Sequence, residues 1–114
     1  MAVKKRVKRT DLPGTFQRFT KRFPDIADSH EAIARMVDKK GPLDRKTCEL
    51  IKLGISIGAG LMTATQSHAR RARQEGASLV EVEQAVLLTM NTCGFPRTVA
   101  AWQWVRQGWR CSSP

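Results

Sequence analysis

The chain has 114 residues, 41% hydrophobic and 26% charged, which fits one soluble domain with a packed core and excludes a disordered chain. Its longest run without Asp, Glu, Lys or Arg, Leu53 to Ala69, is 17 residues with three glycines and a histidine, too short and too polar to cross a bilayer. The net charge of +10 is unevenly placed, because Lys4, Lys5, Arg6, Lys8 and Arg9 fall within the first ten residues with no acid among them.

That basic stretch has no apolar run behind it, so no secretory signal, no membrane partner and a cytoplasmic location are expected. Residues 1–12 read as a solvated basic arm and 13–110 as one helical domain. Beyond Pro13 the apolar residues recur at helical spacing, and no segment alternates with the period of a strand. Phe16, Phe19 and Phe23 mark a first short helix that ends near Pro24, with Arg18, Lys21 and Arg22 toward water. A second begins near Pro24 and carries Ile26, Ile33, Met36 and Val37 inward until Lys39-Lys40-Gly41-Pro42. Asp44 is a good N-cap for a third helix reaching about Gly58, with Cys48, Leu50, Ile51, Ile55 and Ile57 as its apolar side. The fourth spans about Leu61 to Glu75 and stops at Gly76. Ser78 and Glu81 form a capping box for a fifth, which Thr89 interrupts without ending and which continues to Gly94. Pro96 opens a sixth, with Val99, Trp102, Val105 and Trp109 on one stripe. The expected fold is an all-α, single-domain bundle of about six helices.

Cys48, Cys93 and Cys111 are odd in number and lack metal-ligand spacing, so neither a disulfide framework nor a metal site is expected. All three read as reduced, and Cys48 and Cys93 as small buried residues. If the third and fourth helices are antiparallel about Ala59, Glu49 and His68 reach the same level to within about one residue, roughly 1.5 Å. His68 then faces the core beside a carboxylate that fixes its tautomer, an arrangement suited to general acid or base work. The alternative is a solvated glutamate and a hydrogen-bonded core histidine. Tryptophans 102, 104 and 109 read as core or interface anchors, and His30 as a surface residue.

The run GPLDRKTCELIKLGISI, the helix holding SHARRARQEGAS, and LVEVEQAVLLTMNTCGFP together resemble the carboxymuconolactone decarboxylase and alkylhydroperoxidase D superfamily over roughly residues 30 to 104. The resemblance implies an oligomeric all-helical fold, trimeric or hexameric, with Glu49 and His68 in the site. It also marks a departure. The peroxidase branch carries a C-x-x-C pair seven and four residues before the histidine, where this chain has Leu61 and Ala64. Thiol-based peroxide reduction is therefore not expected. The reading is a lyase that needs no cofactor and acts on a small anionic lactone or organic acid through Glu49 and His68, with Thr65 and Arg97 as candidates to hold a substrate carboxylate. The competing reading is a non-catalytic basic oligomer whose arm, through Lys4, Lys5, Arg6, Lys8 and Arg9, makes weak nonspecific contact with nucleic acid or another polyanion.

Overall fold

The computed structural model describes residues 14–110, so the basic arm and Cys111 lie outside the described residues. Among the described residues every regular element is a helix. The chain divides into two compact units, one ending at Pro42 and the other beginning at Leu43.

The first unit holds α1 (Gly14–Arg22) and α2 (Pro24–Asp38). They part at Phe23, whose φ of −129° and ψ of 66° are not helical. Pro24 explains the break, since a proline pushes the preceding residue out of the helical region while its own missing N–H is harmless in a first turn. The stripe expected to point inward on α2 does not. Ile26, Ile33, Met36 and Val37 are each more than half exposed, and among the described residues of this unit the buried ones are Thr20 and Ala27. Periodicity identified the apolar face of α2 correctly, but helical spacing alone cannot say whether such a face is covered.

In the second unit Asp44 caps α3 (Arg45–Gly58), its side chain accepting from the Thr47 N–H at 2.7 Å. The buried stripe of α3 is Glu49, Leu53, Ser56 and Ile57, whereas Ile51 and Ile55 face outward. Ala59, Gly60 and Leu61 reverse the chain, with Gly60 at φ 74°, a conformation that favours glycine. The return helix, α4 (Met62–Gln74), buries Thr65, Ala69, Arg70 and Ala72. Gly76, at φ 96°, ends it as the sequence predicts.

Ser78 and Glu81 form both halves of the capping box of α5 (Leu79–Leu87), at 3.1 and 2.9 Å. The expected fifth helix is in fact two, because α5 stops and a short α6 (Met90–Cys93) follows. At the junction the Thr89 hydroxyl donates to the Val86 carbonyl at 2.6 Å and lies 3.2 Å from the Thr98 hydroxyl. A threonine that binds a backbone carbonyl in this way competes with regular helix continuation.

The last helix, α7 (Phe95–Arg110), turns small residues inward: Thr98, Ala101, Val105 and Gly108. Val99 and Trp102, placed on the inward stripe from sequence, are exposed, and Trp102 donates its indole N–H to Glu83 at 2.9 Å. The reason is the close approach of α7 to α4. A Cβ on Gly108 would lie 2.5 Å from the Gln66 carbonyl oxygen, so bulk is excluded from that seam. Trp104 and Trp109 instead pack at the edge of a core built from Leu53, Ile57, Ala69, Ala72, Ala77, Val82, Val86, Ala101 and Val105. Each of its leucine, isoleucine and valine side chains contributes about 1.5 to 3 kcal/mol by leaving water. No described helix is long and apolar enough to cross a membrane.

Candidate active site

The α3 and α4 pair positions the residues of interest. Glu49 begins the buried stripe of α3 and is 7% exposed. A carboxylate removed this far from water needs a partner, because desolvation otherwise disfavours its charge. His68 supplies one from the middle of α4, with Nδ1 3.3 Å from the Glu49 Oε2 atom. The other carboxylate oxygen, Oε1, lies 4.0 Å from the Lys52 ammonium, one turn along α3. The sequence alignment of these two helices about Ala59 is therefore met in space.

The contact also orders the imidazole. An ionised carboxylate can only accept, so an attractive Nδ1 contact requires the proton on Nδ1. Nε2 is then a base in the neutral ring and an acid in the imidazolium. Thr65 lies three residues before His68 on the same side of α4. It is fully buried, and its hydroxyl makes no hydrogen bond among the described residues.

Arg97 lies elsewhere. Its Nη1 donates to the Ile57 carbonyl at 2.9 Å and to that of Gly58 at 3.3 Å, closing the C-terminal end of α3. Ile57 is eight residues from Glu49, about 12 Å along the helix axis. The structure thus brings Glu49 and His68 together, with Thr65 one turn away on α4, and leaves Arg97 at the far end of α3.

Neither described cysteine is fully buried as expected from sequence. Cys48 points its thiol toward the Leu43 carbonyl at 3.7 Å. Cys93 lines an open groove of about 470 Å³ with Leu50, Ile51, Gly54, Ala85 and Leu88 among its apolar walls. This groove lies between α3, α5 and α6 and is not lined by Glu49, Thr65 or His68. Sequence reasoning missed it, since its walls come from three helices whose relative rotation no spacing pattern specifies. Among the described residues no group of three or more His, Cys, Asp or Glu is placed to hold a metal ion.

Three carboxylate and ammonium groups near the helix starts are perturbed. The Thr47 backbone N–H holds the Asp44 carboxyl below its ordinary range. The Ser78 backbone N–H and the Lys46 ammonium do the same for Glu81, and the Glu81 hydrogen bond raises Lys46 in return. Lys46 and Glu81 are 2.9 Å apart, pinning the start of α3 to that of α5. These groups organise helix ends and not the Glu49–His68 pair.

Comparison with known proteins agrees with this architecture. No curated relative matches the sequence. The fold resembles the crystal structure of an apo carboxymuconolactone decarboxylase family protein from Legionella pneumophila, at a TM-score of 0.73 and 20% identity, with 87% of this chain and 88% of that one covered. A family model described as the carboxymuconolactone decarboxylase family matches residues 24–107, a span that includes both α3 and α4. The chain belongs to the carboxymuconolactone decarboxylase family.

Proposed function

We propose that this chain is a lyase of its family, acting on a small anionic lactone or organic acid with Glu49 and His68 as its acid–base pair and with no metal or organic cofactor. The observation that carries the reading is the 3.3 Å contact between a buried carboxylate and a largely buried imidazole. In a decarboxylation the bond from carbon to the carboxylate breaks, carbon dioxide leaves, and the electron pair spreads as a dienolate toward the lactone carbonyl. His68, protonated at Nε2, returns a proton to carbon, while Glu49 holds the ring and balances its charge. The Thr65 hydroxyl, buried and without a hydrogen-bond partner among the described residues, is assigned to a substrate oxygen. Arg97 is assigned to holding α3 and not to the substrate.

The same reading makes the protein a cytoplasmic homo-trimer or homo-hexamer, as the family resemblance implies. It assigns no thiol peroxidase activity, because Leu61 and Ala64 stand where the redox pair would be. Peroxide turnover with a dithiol reductant is accordingly expected to be negligible.

Carbon dioxide release from unsaturated carboxylated lactones tests the proposal. Loss of a positioned acid costs ~100-fold to ~10,000-fold in rate, so His68→Ala should lose that much with its assembly intact, and Glu49→Gln should also fall. Full activity in both variants would reject the mechanism.

A further inference from the structure

The apolar positions of α1 and α2 keep helical steps across the bend at Phe23. Phe16, Phe19, Phe23, Ile26, Ile33 and Val37 are separated by three, four, three, seven and four residues. Both backbone groups of Phe23 stay bonded, its N–H donating to the Phe19 carbonyl at 2.9 Å and its carbonyl accepting from the Ala27 N–H at 3.1 Å. The resulting ridge is open to solvent. Its phenylalanines are 36%, 49% and 38% exposed, and Ile26, Ile33 and Val37 are each more than half exposed. The rings of Phe19 and Phe23 touch, with centroids 5.2 Å apart.

The charge beside this ridge identifies what covers it. Arg18, Lys21 and Arg22 are exposed on α1, which has no acid. The Arg22 guanidinium lies over the Phe23 ring, 4.7 Å from its centroid, so a cation stands at the edge of the ridge. With Lys4, Lys5, Arg6, Lys8 and Arg9 ahead of α1, residues 1–23 hold eight bases against one acid, Asp11. The acids of α2 do not oppose this charge at the ridge. Asp28, Glu31 and Asp38 fall on the side of α2 away from Ile26 and Ile33, and all three interact within the chain. Asp25 accepts from the Ile26 N–H at 2.9 Å.

Nucleic acid would meet the same cations but has no use for the aliphatic half of the ridge, since Ile26, Ile33 and Val37 cannot stack on bases as aromatic rings do. The surface of an anionic bilayer takes both parts. Its headgroups attract clustered Lys and Arg, and the boundary with the acyl chains accepts Phe and Ile alike. We propose that α1 and α2 lie on an anionic lipid bilayer, with the ridge from Phe16 to Val37 in that boundary and the cations of residues 1–23 against the headgroups. A helix lying in the interface buries one face only, so no spanning segment is required. The expected lack of a membrane partner thus holds for spanning, and the exposed ridge revises it for the membrane surface.

Flotation of the full chain with vesicles tests the proposal, one set made of phosphatidylcholine alone and the other containing phosphatidylserine. The wild type should bind the phosphatidylserine vesicles about tenfold or more tightly than the neutral ones, and the preference should shrink as salt rises. Arg18→Glu with Lys21→Glu should bind the anionic vesicles about tenfold or more weakly than the wild type. Phe19→Ser with Ile33→Ser, which leaves the charge unchanged, should also lose about tenfold or more. A wild type that does not float, equal binding to the two vesicle sets, or wild-type affinity in either folded variant would overturn the proposal. Should the serine variant not fold, the wild type labelled with fluorophenylalanine decides. Lipids spin-labelled in the acyl chain should broaden the fluorine signals of Phe16, Phe19 and Phe23, and sharp signals from vesicle-bound protein would overturn the proposal. Tighter binding to single-stranded RNA than to the anionic vesicles, lost in Phe19→Ser, would overturn it in favour of nucleic acid. None of these readouts depends on Glu49 or His68, so the acid–base reading stands or falls separately.

Discussion

Glu49 and His68 lie ten residues before and nine residues after Ala59, and the return of α4 along α3 brings the carboxylate and the imidazole within 3.3 Å. The geometry fixes which nitrogen of the ring faces the acid. Nitrogen-15 spectra of His68 should therefore show the neutral ring protonated at Nδ1, with a shift toward the other tautomer in Glu49→Leu. A wild-type ring protonated at Nε2 alone would contradict the orienting role given to Glu49.

Gly108 should resist even a methyl group. Replacing a helical glycine by alanine ordinarily gains about 1 kcal/mol of helix propensity. Here the added Cβ would stand 2.5 Å from the Gln66 carbonyl oxygen and 2.9 Å from its Cα. Those are backbone atoms, so α4 and α7 must separate, at a cost of about 1 to 3 kcal/mol. A lower melting temperature for Gly108→Ala is expected, and a higher one would show that the seam is looser than described.

Arg97 offers a prediction that divides stability from catalysis. Arg97→Gln removes the charged donor from the Ile57 and Gly58 carbonyls. The loss should be about 1 to 3 kcal/mol of stability, with turnover per folded molecule unchanged. Unchanged melting together with a raised KM would instead make Arg97 a substrate ligand.

Acid should weaken two helix starts. Asp44 and Glu81 titrate below their ordinary values in the folded protein, so each contributes stability that is present above the unfolded value and lost as pH falls through the folded one. The wild-type melting temperature should thus decline below about pH 4, where free carboxyls protonate. In Asp44→Ala with Glu81→Gln the decline should be shallower, because the groups responsible are gone. Parallel curves for the two proteins would assign the acid sensitivity to other carboxyls.

How much of this was legible beforehand depended on whether the information was local. Caps are local: Asp44, Ser78 with Glu81, and Gly76 announced their helix ends by residue type, and each stands where expected. The level of Glu49 and His68 followed from counting about one turn. Helix rotation was less accessible. On α3 the apolar count favoured the side of Ile51 and Ile55, yet the side of Glu49, Leu53 and Ser56 is buried, because the helix packs through α4. On α7 the large side chains lost the interior to Ala101 and Gly108, since how closely two helices approach is a property of the pair. The break at Thr89 turned on a single hydroxyl, and the sequence marks its presence without marking its bond. Thr65 and Arg97 looked equivalent as substrate ligands, and only the fold separates them, with Thr65 on α4 one turn from His68 and Arg97 reaching from α7 to the C-terminal end of α3.

The most direct test of the account is where an anionic ligand docks. Titration of the full chain with an unreactive carboxylated lactone analogue, followed by nitrogen-15 and carbon-13 spectra, reports on the Glu49–His68 pair and on the groove at once. The account predicts that the His68 ring and Thr65 signals shift together, and that these shifts vanish in His68→Ala with the fold retained. Shifts confined to Ala85, Thr92 and Cys93 around the 470 Å³ groove, with His68 silent, would contradict it.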